Sequence, residues 1–356
     1  MIRYNRTVAL PSIPSEVIMS IQTLSELFLE ISSYDKPDCM QHKVEGRYQP
    51  IATRELVKNV HRLAAVLARL GVVRGDRVAL MAENGPHWPT IDFATLSMRA
   101  ILVPIYPTLT PDQAAYIAHD CGARVLFVEG AERLRQLLTE RDSMPQVDRF
   151  ILIDDSSAVD DVPTLIELLQ GATPMAADTF EEYARQVRAD DLATFIYTSG
   201  TTGNPKGVML THGNIVSNIV NGLQVIPIER GWTALSFLPL SHSFERTIDY
   251  CYFYRGVSVA YAESVQTVAQ NFLEVHPHMF VSVPRVYEKV LAKVYENVAS
   301  SSPAKQRIFQ WATSVARTAI PYRLERKTPG GALGLKLALA DKLVFAKIRA
   351  RLGDRF

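Results

Sequence analysis

Short apolar runs alternate with amphipathic stretches along most of the chain. Apolar, β-prone runs at residues 77–81, 101–104 and 193–197 predict buried strands. Between residues 54 and 70 apolar side chains recur at helical spacing, and Gly71 stands where a C-terminal cap is expected. Such alternation predicts an α/β fold in which mainly parallel sheets are covered by helices.

The same pattern predicts the other elements. Thr110-Pro-Asp-Gln113 has the capping hydroxyl, the proline and the glutamine of a helix start. Further extended segments or strands are predicted at residues 48–53, 124–128, 149–153, 233–238, 257–261 and 279–283. Helices are predicted at residues 23–31, 88–100, 110–122, 131–139, 211–224, 264–273, 285–299, 304–320 and 335–352. Residues 155–192 are acidic and weakly patterned, which predicts a surface excursion.

The composition fits a folded protein that needs neither disulfides nor a structural metal. A chain of 356 residues can bury roughly three quarters of its unfolded surface. Its three cysteines, at positions 39, 121 and 251, follow no CxxC or Cys/His spacing. No apolar run approaches the roughly 18 residues needed to cross a bilayer. We therefore expect a cytoplasmic protein that is soluble or peripheral.

Charge is unevenly distributed, although the net charge is only +1. Residues 303–356 hold twelve Lys or Arg against three acids, so the rest of the chain is acidic. Two interpretations stay open for this basic segment: solvated helix faces, or a peripheral contact at the inner face of a membrane. We expect no nucleic-acid partner, and the pattern favours no particular oligomeric state.

Residues 197–207, with the sequence YTSGTTGNPKG, predict a loop that holds phosphate. Glycines at 200, 203 and 207 are expected to adopt positive φ and to let backbone N–H groups approach an anion. Lys206 would add a charge-assisted hydrogen bond, worth roughly 1.5–3 kcal/mol. The hydroxyl donors are Thr198, Ser199, Thr201 and Thr202. Because the loop follows a predicted buried strand, it lies where open α/β sheets bind ligands.

This loop differs from a Walker A motif. That motif ends in Gly-Lys-Ser/Thr, whereas here Pro205 precedes Lys206 and Gly207 follows it. A ligand-free turn between two strands is the alternative. Turns rarely combine so many hydroxyls with a lysine between Pro and Gly, so the phosphate site is the favoured interpretation.

Continued by residues 208–212 (VMLTH), the loop resembles the signature of the AMP-forming adenylate ligases, which include acyl-CoA synthetases, luciferases and peptide-synthetase adenylation domains. A second motif, LPLSHSFER at residues 238–246, resembles the corresponding block of long-chain acyl-CoA synthetases. Supporting matches lie at residues 75–78, 103–107, 282–289 and 338–345, so the resemblance extends over the chain from about residue 21.

The resemblance implies an incomplete N-terminal AMP-binding domain over residues 21–356. Its subregions would be 21–192, 193–283 and 284–356, after an extension at 1–20 without assigned role. The implied activity has two steps: a long-chain fatty acid attacks the α-phosphorus of ATP to give an acyl adenylate and pyrophosphate, and coenzyme A then takes the acyl group. ATP and Mg²⁺ are the implied cofactors, with coenzyme A as co-substrate.

The resemblance also implies roles for single residues. The backbone and hydroxyls of residues 198–202 would hold the β- and γ-phosphates, with Gly200, Gly203 and Gly207 shaping the loop. Lys206 would contact the γ-phosphate and the leaving pyrophosphate, and Thr201 would also reach Mg²⁺. His242 would lie beside the acyl group and the α-phosphate, whereas a lone histidine would otherwise be a core residue.

The residues after His242 carry weaker expectations. Phe244, Glu245 and Arg246 would lie in the vicinity of the substrate, although Glu245 and Arg246 would equally suit an ion pair. Four aromatic residues follow, for which helix packing and the wall of an acyl tunnel are the two interpretations: Tyr250, Tyr252, Phe253 and Tyr254.

Later motifs of the family have no counterpart in these 356 residues. No aromatic-Gly-x-Thr-Glu sequence follows the phosphate loop, and neither an adenine-binding segment nor a C-terminal domain with its catalytic lysine can be placed. We therefore expect this polypeptide alone to form neither acyl adenylate nor acyl-CoA. Two alternatives to a ligase of long acyl chains stay open: a non-catalytic remnant that binds fatty acid or a partner, and adenylation of an aryl or amino-acid substrate.

Overall fold

The computed structural model describes residues 21–153, 158–159, 161–198, 204–325 and 327–350. These residues fall into two compact units, whose boundary in the chain lies between Val265 and Gln266. The larger unit holds both β-sheets, and the smaller one is helical. Among the described helices, none is long and apolar enough to cross a membrane.

The described chain contains ten strands in two sheets of the larger unit. They are β1 (Met40–Val44), β2 (Arg47–Ile51), β3 (Arg77–Met81), β4 (Ile101–Ile105), β5 (Ala123–Val128), β6 (Arg149–Leu152), β7 (Leu192–Thr198), β8 (Lys206–Thr211), β9 (Thr233–Ser236) and β10 (Ser258–Tyr261). The main sheet has the order β6-β5-β3-β4-β7-β8, with β8 antiparallel to β7 and the other neighbours parallel. The smaller sheet has the order β2-β1-β10-β9, with β2 antiparallel to β1.

Helices alternate with these strands. They are α1 (Leu24–Ser32), α2 (Thr53–Arg69), α3 (His87–Ser97), α4 (Pro111–Asp120), α5 (Ala131–Leu138), α6 (Leu165–Gln170), α7 (Ala177–Arg185), α8 (His212–Val225) and α9 (Ser243–Tyr254), with a 3-10 turn at Arg141–Ser143. Threonine capping boxes begin four of them, at Thr23, Thr110, Thr164 and Thr211. Each box satisfies backbone N–H groups that a helix start leaves without partners.

The main core lies between the central strands and the helices that connect them. Strand β4 is buried at every position, as expected for a parallel strand covered on both faces. Apolar side chains of β3, β4 and β5 pack there against α4 and α5, among them Val103, Ala115, Leu126 and Leu134. This core holds the parallel strands rigidly, so that their carboxyl ends form a fixed edge.

The smaller unit contains α10 (Val268–Val275), α11 (Pro284–Ala299), α12 (Pro303–Thr318), α13 (Ile320–Leu324) and α14 (Gly331–Ala340). A π-helical turn at Asp341–Phe345 leads into α15 (Ala346–Ala350). Phe309 and Ala312 of α12 pack against Ala340 and Val344. Arg349 forms two hydrogen bonds to Asp341, at 2.6 and 2.7 Å, which close the π-helical turn.

The predicted α/β fold is confirmed, and most predicted elements are present with ends shifted by a few residues. Two predictions are wrong. No strand is described at residues 279–283, and the helix at 335–352 is interrupted by the π-helical turn. The predicted surface excursion at 155–192 includes two helices, α6 and α7, that the weak pattern did not indicate. Strand β8 was not predicted, because its lysine and glycine indicate a loop. The subregion boundaries at 192 and 283 stay predictions.

Candidate functional site

The described part of the phosphate-loop region is the hairpin that flanks it. Thr198 ends β7 and Lys206 begins β8; the two are paired across the hairpin, and both side chains are exposed. The predicted loop residues Ser199, Gly200, Thr201, Thr202 and Gly203 lie outside the described residues. The Thr198 hydroxyl and the Lys206 ammonium group therefore lie on paired residues, where the chain leaves β7 and enters β8.

Two tyrosines hold the hairpin against α4. The Tyr197 hydroxyl donates a hydrogen bond to Asp120, and the Tyr116 hydroxyl donates one to the Pro205 carbonyl at 3.4 Å. Burial and the Asp120 carboxylate raise the pKa of Tyr197 well above its usual range, so this phenol stays a neutral donor. The hairpin is thus attached, next to Thr198 and Lys206, to a helix that lies outside both motifs.

Gly207 has a different role from the one predicted. It lies within β8 without positive φ, so the expectation of a left-handed backbone is wrong at this position. Gly207 pairs with Tyr197 on β7, and a Cβ at Gly207 would lie 3.1 Å from Cζ of the tyrosine ring. The glycine therefore provides room for that ring.

Asn84 attaches the second motif to the end of β3. Its Nδ2 donates to the Leu238 carbonyl at 2.7 Å, and its Oδ1 accepts the Leu240 N–H at 3.0 Å. The turn continues to His242, whose N–H donates to the Pro239 carbonyl at 3.0 Å. Because both groups of one amide contact a single turn, the path of the chain into His242 is fixed.

His242 is the N-cap of α9 and has an exposed side chain. Its Nδ1 accepts the Phe244 N–H at 3.2 Å. An accepting Nδ1 assigns the proton of the neutral ring to Nε2. The interpretation of His242 as a core residue is wrong, because the side chain is exposed, and with Nδ1 accepting, Nε2 is the ring nitrogen left to donate.

Both motifs reach the same edge of the main sheet. Strands β3, β4 and β7 are parallel and adjacent in that order, so their carboxyl ends share an edge. Strands separated by one neighbour lie about 10 Å apart. Asn84 follows β3 and the hairpin opens at Thr198 of β7, which brings the His242 turn and Lys206 to this edge. Open α/β sheets bind ligands at such an edge.

Arg246 is buried instead of facing a ligand. Its guanidinium contacts both carboxylate oxygens of Asp92 in α3, and it donates to the hydroxyls of Tyr250 and Thr194, each at 2.9 Å. Burial alone would lower the pKa of Arg246, but Asp92 and Tyr250 raise it above the usual range, so the guanidinium stays charged. This network joins α9, α3 and β7.

Glu245 forms no ion pair with Arg246, which corrects that interpretation. Its Oε1 accepts the Ser236 hydroxyl at 2.9 Å and the Phe237 N–H at 3.2 Å. Consecutive residues of a helix point in different directions, so the side chains of Glu245 and Arg246 do not meet. Within the predicted trio only Phe244, which is 45% exposed, is accessible to a ligand.

The aromatic residues of α9 are buried, as helix packing requires. Tyr250, Tyr252, Phe253 and Tyr254 are each no more than 7% exposed. The ring of Phe93 in α3 lies 5.8 Å from Tyr250 and 6.1 Å from Phe253 between centroids. These contacts support the packing interpretation, and an acyl-tunnel wall stays a prediction.

His212, the last residue of the first motif, links α8 to α1. It is fully buried, and its Nδ1 accepts the Leu24 N–H at 3.2 Å. Burial lowers the pKa of His212 to about 4. The folded protein therefore holds this histidine neutral at pH values where an unfolded chain would protonate it.

Acidification should destabilise the protein through His212. The unfolded chain binds the proton near pH 6.5 and the folded chain only near pH 4, so the free energy of unfolding falls by up to about 3 kcal/mol across this window. His212→Asn keeps an acceptor for Leu24 without a titrating group. Urea unfolding should show the wild type losing stability relative to this variant on acidification. A difference that does not change with pH would contradict this.

Asn84→Ala should loosen the turn that leads to His242. Loss of two hydrogen bonds costs about 1–3 kcal/mol and exposes the Leu240 amide. Hydrogen exchange at that amide should then accelerate about tenfold or more. Asn84→Asp is the matched control, because it keeps the acceptor for Leu240 and loses only the donor to Leu238. Equal exchange in all three proteins would show that Asn84 does not hold the turn.

Sequence reasoning overlooked Asn84 and Asp92. Asp92 is the one acid in the described helix α3, where it is buried among mostly apolar residues. A buried acid needs a partner, so a single acid within a mostly apolar helix could have predicted a buried ion pair. Asn84 precedes Gly85, and this pair indicates only a turn. Nothing in the local sequence predicts that Asn84 contacts Leu238 and Leu240.

Comparisons with known proteins identify the family. The AMP-binding enzyme family matches residues 33–334. The long-chain-fatty-acid–CoA ligase FadD15 of Mycobacterium bovis is 34% identical over 90% of this chain and 53% of its own length. The peroxisomal long chain acyl-CoA synthetase 7 of Arabidopsis thaliana is 30% identical over 87% of this chain and 43% of its own length. The chain thus spans about half the length of these relatives.

A solved structure shares the fold. The inhibitor-bound N-terminal domain of FACL13 from Mycobacterium tuberculosis superposes with a TM-score of 0.64 at 22% identity, over 75% of this chain and 64% of that one. At this identity the likeness concerns architecture alone, and it agrees with the parallel sheets described above. Because the family match extends over most of the sequence, this chain belongs to the AMP-binding enzyme family.

Proposed function

We propose that this chain forms part of a ligase that activates a long-chain fatty acid with ATP and transfers it to coenzyme A. One observation carries the proposal: the hairpin with Lys206 and the exposed His242 lie at the same carboxyl edge of a parallel sheet. Family membership supports adenylate chemistry, and the names of the relatives support a long-chain substrate. The activity is proposed for the whole ligase, because this chain spans about half of such relatives.

Charge neutralisation is the main task of the proposed site. A carboxylate must approach the α-phosphate of a triphosphate, so positive charge and donors must already be in place. Lys206 and Thr198 would hold the β- and γ-phosphates together with residues 199–203. The Tyr116 and Tyr197 contacts keep this hairpin fixed while pyrophosphate leaves.

His242 would act as a donor near the α-phosphate. Its Nδ1 is engaged by the Phe244 N–H, so the exposed Nε2–H donates to the carboxylate or phosphate oxygens. A fixed donor aimed where charge develops stabilises the transition state. Phe244 is exposed next to it and would contact the acyl chain.

The described donors fit a phosphate group, since the Lys206 ammonium and the Thr198 hydroxyl belong to residues paired across the hairpin. No three His, Cys, Asp or Glu side chains converge within the described residues, so Mg²⁺ would be held mainly by phosphate oxygens, with Thr201 as the candidate protein ligand. When bound, Mg²⁺ neutralises phosphate charge, and coenzyme A supplies the acceptor thiol. Lys206 would share the neutralising role.

ATP–pyrophosphate exchange with palmitate, benzoate and alanine tests the proposal. We expect palmitate-dependent exchange from the ligase of which this chain is proposed to form part, and none from the 356 residues alone. Preference for benzoate or alanine would support an aryl or amino-acid ligase instead. Fatty-acid binding without exchange in that ligase would support the non-catalytic alternative.

We further propose a cytoplasmic location with peripheral membrane contact through the basic residues between 303 and 356. Long-chain fatty acids partition into membranes, and Lys and Arg side chains are attracted to anionic headgroups. Co-sedimentation with liposomes should increase when anionic lipid is included. Binding that ignores lipid charge would favour solvated helix faces.

A further inference from the structure

Two buried carboxylates lie on one face of α9. Glu245 is 1% exposed and Asp249 is 4% exposed. They are four residues apart in a helix, which places their side chains side by side. Helix α9 packs there against the smaller sheet, where Ser236 of β9 and Tyr261 of β10 face Asp249. We call Glu245 and Asp249 the acid pair.

Most oxygens of the acid pair lack hydrogen-bond donors. Glu245 Oε1 accepts two hydrogen bonds, but Glu245 Oε2 and both carboxylate oxygens of Asp249 have no partner among the described residues. The buried hydroxyl of Tyr252 also has no partner there, and the hydroxyls of Ser236 and Tyr261 are the neutral groups that face Asp249. Two full charges in this setting would be strongly unfavourable, because burial removes water and a few neutral hydroxyls cannot replace it.

Within the part of the chain that the structure describes, no cationic side chain forms a hydrogen bond or ion pair with the acid pair. Arg246, also on α9, is engaged by Asp92, and His212 of α8 is held neutral by burial. Burial also keeps the neighbouring thiols neutral, raising the pKa of Cys39, which immediately precedes β1, to about 11 and that of Cys251 on α9 to about 12. The described surroundings therefore offer hydroxyls and thiols rather than a compensating positive charge.

We propose that Glu245 and Asp249 share one proton at neutral pH, so that the acid pair is a buried proton site that forms on folding. A single proton converts one carboxylate into a donor and halves the buried charge. Burial raises the pKa of Glu245 from 4.5 to about 7, and burial together with Glu245 raises the pKa of Asp249 well above its usual range. This inference is independent of the proposed function, because it concerns buried carboxylates, whereas Thr198, Lys206 and His242 are exposed.

The shared proton makes stability depend on pH in a defined direction. In an unfolded chain both acids lose their protons near pH 4, so unfolding at neutral pH releases the proton. Stability is therefore lost as pH rises from about 4.5 towards 7. His212 has the opposite effect, because it lowers stability as pH falls. Its contribution cancels when the wild type is compared with a variant that also contains His212.

Infrared spectroscopy of the wild type at neutral pH tests the proposal directly. We expect the C=O stretching band of a protonated carboxylic acid, which disappears in the doubly substituted Glu245→Gln/Asp249→Asn protein and changes in either single variant. Glu229→Gln, at an exposed acid before β9, is the matched control and should keep the band. Absence of this band from the wild type would overturn the proposal without requiring any variant to fold.

The pH dependence of urea unfolding measures how many protons the acid pair releases when the protein unfolds. Between pH 5 and 7, the unfolding equilibrium constant of the wild type relative to the doubly substituted Glu245→Gln/Asp249→Asn protein should rise about tenfold per pH unit. Equal pH dependence of the two proteins would overturn the proposal. Stabilisation of the wild type alone by NaCl or MgCl₂, and not by choline chloride, would also overturn it, because a metal cation would then occupy the place of the proton.

Discussion

Replacing Arg246 by alanine should destabilise the larger unit by about 3–5 kcal/mol, because it leaves the Asp92 carboxylate buried without its partner. Arg246 and Asp92 are 4% and 3% exposed, so water cannot take over the lost contacts. The hydroxyls of Tyr250 and Thr194 lose a charged donor at the same time. Urea unfolding of wild type and variant at neutral pH measures this loss.

Two controls separate the buried charge from the loss of a long side chain. Arg185→Ala removes an exposed arginine that pairs with Glu181 within α7, and it should cost about 0.5 kcal/mol or less. Arg246→Met combined with Asp92→Leu removes both buried charges and should recover a large part of the stability lost by Arg246→Ala. If Arg246→Ala costs no more than Arg185→Ala, the network does not hold α9, α3 and β7 together.

Lys206→Ala should weaken triphosphate binding about tenfold to a hundredfold. The lysine would contribute a charge-assisted hydrogen bond worth roughly 1.5–3 kcal/mol, and each 1.4 kcal/mol is a factor of about ten in affinity. Because Lys206 is exposed at the start of β8, its removal should leave the fold intact. Titration calorimetry with tripolyphosphate and with ATP and Mg²⁺ measures the change.

Lys58→Ala is the matched control for this measurement. Lys58 is an exposed lysine within α2, away from both motifs in the sequence. The loss of its charge should change triphosphate affinity only slightly, and added salt should screen that small effect further. Unchanged affinity in Lys206→Ala would remove Lys206 from the phosphate site.

Local patterns were sufficient to predict the parallel core. Strands β3, β4 and β5 are continuous apolar runs because they are covered on both faces, and such runs are visible in the sequence. Strand β8 was overlooked because none of its residues is buried and it begins with a lysine and a glycine. Gly207 shows the same difficulty, since the Tyr197 ring that requires the glycine lies on another strand.

Contacts between distant parts of the chain could not be predicted in this way. Arg246 and Asp92 are separated by 154 positions, and no local pattern connects an arginine in one helix to an acid in another. Asn84 likewise contacts a turn 154 to 156 positions away. Motifs predicted which residues belong to the candidate site, whereas these long-range contacts determine where those residues lie.

A crystal structure of the protein with palmitate and a non-cleavable ATP analogue tests the central claim most directly. We expect the β- and γ-phosphates at the hairpin between Thr198 and Lys206, with the Lys206 ammonium at about 3 Å from a phosphate oxygen. The palmitate carboxylate should lie on the side of His242, at the same edge of the main sheet. Ligands bound at separate places, or phosphates away from this hairpin, would contradict the claim that this edge is an adenylation site.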